Sequence, residues 1–239
     1  METKKFRAAC QNIENEINSL PCPNPHISPI SDGIVNPEKY LNSKLKILWI
    51  LKESNDVENN EGGGWSLTDT INKINNWEEQ VQKGNSYRTL QRMIYTTFGL
   101  LNNFIPWQEI PSIYNSEVFE AYKQLGYINI KKIPGINRVS ANQIQIAYDE
   151  YKEILLKQLA TYKPDVIIGG NTLSYFYEDL GFNEMTKKTA EVTTFYSDYQ
   201  RIYVDAYHPA YFSVKEQIFC DEIITGVKNW LFYEKNNTV

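Results

Sequence analysis

Apolar positions along this chain follow two alternating rhythms, one helical and one of short unbroken runs. Phe6, Cys10, Ile13, Ile17 and Leu20 recur at helical spacing and predict an amphipathic helix over 4–20. Residues 21–37 carry five prolines and predict an irregular lead-in. Residues 44–51 read KLKILWIL, a mostly apolar run suited to a central strand. A polar, glycine-containing loop follows over 52–65. Helical patterns over 66–81 and 87–101 are separated by Gly84-Asn85-Ser86, and a third covers 115–125. A second strand is predicted over 126–131. A long helix over 142–162 rests on Ile144, Ile146, Tyr151, Ile154, Leu155 and Leu159, and Lys163-Pro164 stops it. A β-branched run over 165–168 closes on Gly169-Gly170, and Asn171 is read as the cap of a helix reaching Leu180. Strands over 191–196 and 201–206 and a helix over 214–233 complete the pattern.

Apolar strands alternating with helices imply a mainly parallel sheet covered on both faces. The expected fold is α/β: a three-layer α/β/α sandwich with a central sheet of about four to five strands. One domain is expected over 1–239, with 1–43 as its helix and proline-rich lead-in. In such sheets ligands bind outside the carboxyl ends of the strands. That rule points to the loops at 52–65, 129–138, 169–172 and 208–212.

Composition narrows the classes. A hydrophobic share of 42% supplies a core. No apolar run reaches the ~20 residues of a membrane span, and no apolar stretch follows Met1-Glu2-Thr3-Lys4-Lys5-Phe6-Arg7 to make a signal peptide. A cytoplasmic protein without membrane contact, acting as a monomer, is expected. Cys10, Cys22 and Cys220 are too scattered for a disulfide framework or a zinc site and read as reduced thiols. No metal or other cofactor is expected. The net charge of −5 argues against a surface basic all over, yet a local basic rim can still hold nucleic acid.

Four strand ends carry candidate chemistry. The first is Lys52-Glu53-Ser54-Asn55-Asp56, where Glu53 is either part of a solvated turn or a carboxylate held at a strand mouth to orient water or face a cation. Gly62-Gly63-Gly64-Trp65 then delivers an aromatic ring, for packing or for stacking. The second is Asn129, an amide inside an apolar pattern. It either clamps backbone or reads a base edge with one donor and one acceptor. Lys131, Lys132, Asn137 and Arg138 follow it as possible phosphate contacts. The third, Gly169-Gly170-Asn171-Thr172, is a tight turn or the start of an anion-holding helix. The fourth is His208-Pro209-Ala210 with Tyr211 and Phe212. The proline disfavours helix at His208 and presents it on the loop leaving the sheet.

In order and spacing these segments resemble the uracil-DNA glycosylase superfamily, most closely its iron–sulfur-containing bacterial and archaeal branch. That branch has a first motif G-E-A-P-G, where Lys52-Glu53-Ser54-Asn55-Asp56 stands, and a glycine-rich stretch ending in an aromatic, here Gly64-Trp65. Its second motif runs asparagine, a basic residue, then P-G-N-R; Asn129, Lys131, Lys132 and Pro134-Gly135-Ile136-Asn137-Arg138 are similar, with one inserted residue. Tyr162-Lys163-Pro164-Asp165-Val166-Ile167-Ile168-Gly169 matches its K-P, apolar strand and glycine. His208-Pro209-Ala210 stands for its H-P-S. The likeness spans roughly 46–215. Lys52 replaces a glycine, the first motif lacks its proline, and the cluster cysteines are absent, so no iron–sulfur centre is carried over.

The resemblance implies a DNA glycosylase that flips out a pyrimidine-type base and hydrolyses its N-glycosidic bond. Trp65 would stack on the base and Asn129 would bond its polar edge. Glu53 would position water or stabilise the sugar cation, and His208 would stabilise charge on the departing base. Lys131, Lys132, Asn137, Arg138 and Asn171 would contact DNA, with Tyr211 or Phe212 as a wedge. Two alternatives stand beside it: a non-catalytic nucleic-acid or nucleotide-binding module, and a hydrolase of free nucleotides. Three consecutive glycines supply no wall to the base pocket and are read as a mobile lid. That suits a base larger than uracil, such as a C5-modified cytosine of phage DNA, or else a flexible cover over an ordinary uracil pocket.

Overall fold

A computed structural model describes residues 2–82, 87–135 and 139–234; Gly84-Asn85-Ser86, Asn137 and Arg138 lie outside the described residues. Helix α1 (Glu2–Asn18) buries the expected Cys10, Ile13 and Ile17. The proline-rich lead-in is more ordered than its composition implies. It holds a two-residue strand, β1 (Gly33–Ile34), and a short helix, α2 (Pro37–Asn42), whose Asn36 cap accepts from Lys39 N. Strand β2 (Ile47–Leu51) is buried throughout. The loop after it contains a hairpin, β3 (Val57–Glu58) and β4 (Glu61–Gly62), turned by Asn59 and Asn60 at φ 51° and 67°.

The single helix expected over 66–81 is two, α3 (Leu67–Asn72) and α4 (Trp77–Gln82). Asn76 explains the break: its Oδ1 accepts from Glu79 N at 2.9 Å, which starts a new helix. Helix α5 (Tyr87–Leu101) forms as expected, and α6 (Ser116–Glu120) tightens into a 3-10 turn, Ala121–Gln124. Strand β5 (Gly126–Asn129) stops two residues early. Helix α7 (Ala141–Tyr162) starts from a capping box between Ser140 and Gln143 and ends at Lys163 with φ 46°.

Strand β6 (Val166–Gly170) is not followed by the expected helix. Asn171 takes φ 60°, and only a 3-10 turn, Leu173–Phe176, comes next. Asn171 N donates to Ala206 O at 2.7 Å and Thr172 Oγ1 to Ile50 O at 2.8 Å. These bonds pull the chain across the strand ends instead of winding it. The remaining elements are β7 (Thr186–Thr189), β8 (Thr194–Ser197), β9 (Ile202–Ala206) and α8 (Glu216–Asn229), with a π turn at Trp230–Glu234.

Among the described residues the main sheet has seven strands, ordered β1-β5-β2-β6-β9-β8-β7. The four inner strands β5, β2, β6 and β9 run parallel. The outer ones, β1, β8 and β7, pair antiparallel. The count exceeds four to five because β1 and β7 escape notice in the sequence. The Thr-Lys-Lys-Thr of β7 is exposed along its length and has no apolar period; lysines on such an edge discourage pairing with another chain.

Alternation along the inner strands sorts side chains to two cores. Ile47, Trp49, Leu51, Val166, Ile168 and Val204 pack with residues of α3, α4, α5, α6 and α8. Leu48, Ile50, Ile128, Ile130, Ile167 and Tyr203 pack with α1, α2 and α7. Helices thus cover both faces, as buried parallel strands require. Leu51 pairs with Asn129 and Gly170 with Ala206, so the carboxyl ends of the parallel strands lie level at one edge. No described helix is long and apolar enough to cross a membrane.

Candidate functional site

Three of the four strand ends bring polar groups to that level edge. Asn129, the last residue of β5, is 2% exposed. Its backbone N donates to Asp32 Oδ2 at 2.8 Å and its Nδ2 to Ser54 Oγ at 3.1 Å. Its Oδ1 is buried and has no hydrogen-bond partner among the described residues. An unmet buried acceptor costs about 1–3 kcal/mol, and a ligand donor would remove that cost.

Glu53, two residues past β2, is paired with Lys131 Nζ at 2.5 Å, and its side chain is only 5% exposed. A Cβ built on Gly135 would fall within 2.6 Å of the carboxylate, so glycine is what lets this loop close over it. The loop is stitched there by Gly135 N to Ser54 O at 2.9 Å and Asp56 N to Gly135 O at 3.0 Å. Lys131 is therefore committed to Glu53 rather than free for a phosphate.

Lys132 is a clear correction. It is fully buried, with Nζ 2.8 Å and 2.9 Å from the two Asp32 oxygens and 3.0 Å from Gln158 Oε1. Burial holds its ammonium below the ordinary lysine value while Asp32 opposes that shift. It cannot reach DNA. Its parity explains why: Lys132 alternates with Ile128 and Ile130, which face the α1/α7 core, whereas Asn129 and Lys131 share the other side. Asn171 is a second correction. It is exposed at the strand edge, but with no α-helix beginning there it offers no helix dipole to an anion.

Trp65 is half-buried against the α3–α5 core, and its Nε1 donates to Asp56 Oδ2 at 2.7 Å. The same oxygen accepts from Gly63 N at 3.0 Å. The glycine triplet, read as a lid, is hydrogen-bonded to the lead-in. Gly62 N donates to His26 O, Ser28 N to Gly62 O at 2.9 Å, and Gly64 N to Pro29 O at 3.1 Å. Gly63 and Gly64 hold φ near 76° and 78°, where glycine is the natural residue. A Cβ on Gly63 would collide with Ser28 O. The glycines fit a close backbone crossing that leads into Trp65.

His208 lies on the turn beyond β9, part-buried. Its Nδ1 accepts from Ala210 N at 3.2 Å, so the neutral ring carries its proton on Nε2. Burial, reinforced by Lys52, pulls its pKa down to about 4. At neutral pH this is an uncharged donor. Gly170 allows the turn to close on the sheet: a Cβ there would lie 3.0 Å from Pro209 and 3.5 Å from His208 Cα, and against Leu51. The carboxyl ends of β2, β6 and β9 are thereby drawn together.

A titration checks this electrostatic arrangement. The His208 ring signal, followed by NMR, is expected to titrate near 4. Lys52→Gln should raise that midpoint by removing one opposing charge, leaving burial as the larger cause. The unfolded chain takes up this proton near pH 6.5. Stability from this group is therefore whole above pH 6.5 and falls as acid is added from there toward 4. A midpoint at or above 6.5 would contradict the buried neutral ring.

Two residues that the sequence did not single out, Asp32 and Gln158, hold Lys132 and Asn129 in place, while Ser54 and Asp56 of the first motif bond Asn129 and Trp65. Asp32 had a visible signal, a lone carboxylate between the apolar Ile30 and Ile34-Val35. Among the described residues no group of three or more His, Cys, Asp or Glu could hold a metal ion. No family model matches this chain, and no curated protein matches it.

Proposed function

We propose that this chain is a DNA glycosylase of uracil-DNA glycosylase-like architecture that flips out a pyrimidine-type base and hydrolyses its N-glycosidic bond. The proposed enzyme acts without a cofactor, as a cytoplasmic monomer. Asn129 carries the reading. A buried amide with an unmet acceptor, at the same sheet edge as a held carboxylate and a neutral imidazole donor, suits the donor–acceptor edge of a base. The bond from the sugar to the base breaks with its electron pair going to the base. His208 Nε2–H supports the charge that develops on the base oxygen. The Glu53 carboxylate faces the cationic sugar, water oxygen bonds to the anomeric carbon, and the water proton balances the departing base. Trp65, fixed by Asp56, offers the stacking face. The base is uracil or a C5-modified cytosine, in repair or in defence against phage.

The loss of Lys132 and Asn171 as phosphate contacts favours a second reading, hydrolysis of free nucleosides or nucleotides. Mass spectrometry of bases released from uracil-containing DNA, from C5-modified phage DNA and from the matching nucleotides separates the two. Release from polymer alone supports the glycosylase; release from monomers alone supports the alternative; release from neither removes both. Asn129→Asp is expected to change base preference or abolish release while leaving DNA affinity nearly unchanged, because only the base-reading edge is altered. A collapse of affinity in parallel with activity would make Asn129 structural.

A further inference from the structure

The segment around His208 carries a feature that bond cleavage does not use. Tyr207, Tyr211 and Phe212 are 45%, 41% and 80% exposed. Tyr207 and Tyr211 stack on each other, with ring centroids 4.7 Å apart and planes 19° from parallel, and Phe212 lies 6.0 Å beyond Tyr211. Grouped apolar rings in water mark an interaction surface more often than scattered ones do.

The backbone beneath these rings is braced. Arg92, on α5 and buried, donates through Nη1 to Tyr211 O at 3.0 Å and through Nη2 to Val214 O at 2.6 Å. Its guanidinium also lies 5.2 Å above the Phe219 ring. Tyr211 N donates to His208 O at 2.8 Å. A buried cation engaged with two carbonyls of one turn fixes that turn before any ligand arrives. Rings presented in this way lose little freedom on binding.

We propose that Tyr207 and Tyr211 form a stacking platform for an unpaired nucleotide beside the flipped one, so that the substrate is single-stranded or locally unpaired DNA. The proposal rests on the reading that the strand ends meet DNA. A wedge into a duplex needs one projecting ring, and Phe212 suffices for that. Two rings stacked face to face instead offer a flat outer face, and a base is free to take it only when it is not already stacked inside a duplex. Exposed Lys215 at the start of α8 adds positive charge along the same turn.

Fluorescence anisotropy with the whole chain tests this. The probes are a labelled single strand of about 12 nucleotides and the same strand annealed to its complement. The single strand is expected to bind more tightly. Tyr207→Ala should weaken single-strand binding roughly tenfold, within the range for loss of one stacked base, while Tyr207→Trp retains it. The salt dependence should be the same in wild type and Tyr207→Ala, because no phosphate contact is removed. Tighter duplex binding, or an unchanged affinity in Tyr207→Ala, overturns the platform. Duplex preference with the loss confined to Phe212→Ala overturns it too and makes the turn a wedge. Binding is read without catalysis, so the two readings fail separately. Tyr207-dependent single-strand binding without base release leaves the platform standing and removes the glycosylase. Base release from duplex, unaffected in Tyr207→Ala, does the reverse.

Discussion

His208→Ala is expected to fold normally and to release base at least about a hundredfold more slowly, the scale of losing one preorganised donor. Folding should survive because the ring is part-buried and, among the described residues, its one side-chain bond is accepted from Ala210 N, on the same turn. The rate should not survive, because a neutral Nε2–H is the group available at this strand end for charge on the departing base. Glu53→Gln is expected to lose a similar factor by a different route, since it replaces the carboxylate that would face the cationic sugar. That variant also leaves Lys131 without its partner, so Lys131→Met is the necessary companion. If Lys131→Met keeps most of the rate while Glu53→Gln does not, the carboxylate acts directly. If both fall equally, the ion pair positions the loop. Single-turnover rates on a confirmed substrate, with melting curves for each variant, decide these cases. Wild-type rates in His208→Ala and Glu53→Gln would remove both residues from the chemistry.

How much of this was legible beforehand depended on whether a residue's role was set by its neighbours in sequence or across the fold. Strands β2, β6 and β9 announced themselves because strands buried on both faces read as apolar runs. The carboxyl ends of β2, β5 and β9 then located Glu53, Asn129 and His208. Strand β7 had no such signal, since its side chains contact water and its place is set by pairing with β8. Asn171 looked like a helix cap on local grounds, but its own bond to Ala206 and that of Thr172 to Ile50, both reaching other strands, won. The glycine triplet looked mobile, yet its neighbours at His26, Ser28 and Pro29 come from a lead-in that composition alone marked as irregular. Lys132 looked like a surface cation beside Lys131. Parity with Ile128 and Ile130 pointed inward, and its burial needed a partner that lies a hundred residues earlier, at Asp32.

That buried pair yields the second large effect, and it is one of stability. Asp32 Oδ1 accepts from Lys132 and from Gln158 Nε2 at 2.8 Å; Oδ2 accepts from Lys132 and from Asn129 N at 2.8 Å. Lys132→Met leaves the carboxylate buried without its cation. Removing one member of such a pair costs about 3–5 kcal/mol, mostly as the penalty on the charge left behind. The urea midpoint should fall accordingly, with little change in slope if folding stays two-state. The double variant Asp32→Asn, Lys132→Met removes both charges while its amide oxygen can still accept from Asn129 N. It should recover most of the lost stability, because well-packed neutral replacements of a buried pair are often near neutral. It should also keep Asn129 in place, so base preference is expected to follow the wild type. Asp32→Leu, Lys132→Met removes that acceptor as well, and any shift in base preference should appear only there. A loss below about 1 kcal/mol in Lys132→Met, the range of an exposed pair, would mean that water reaches this cluster and that Asn129 does not depend on it.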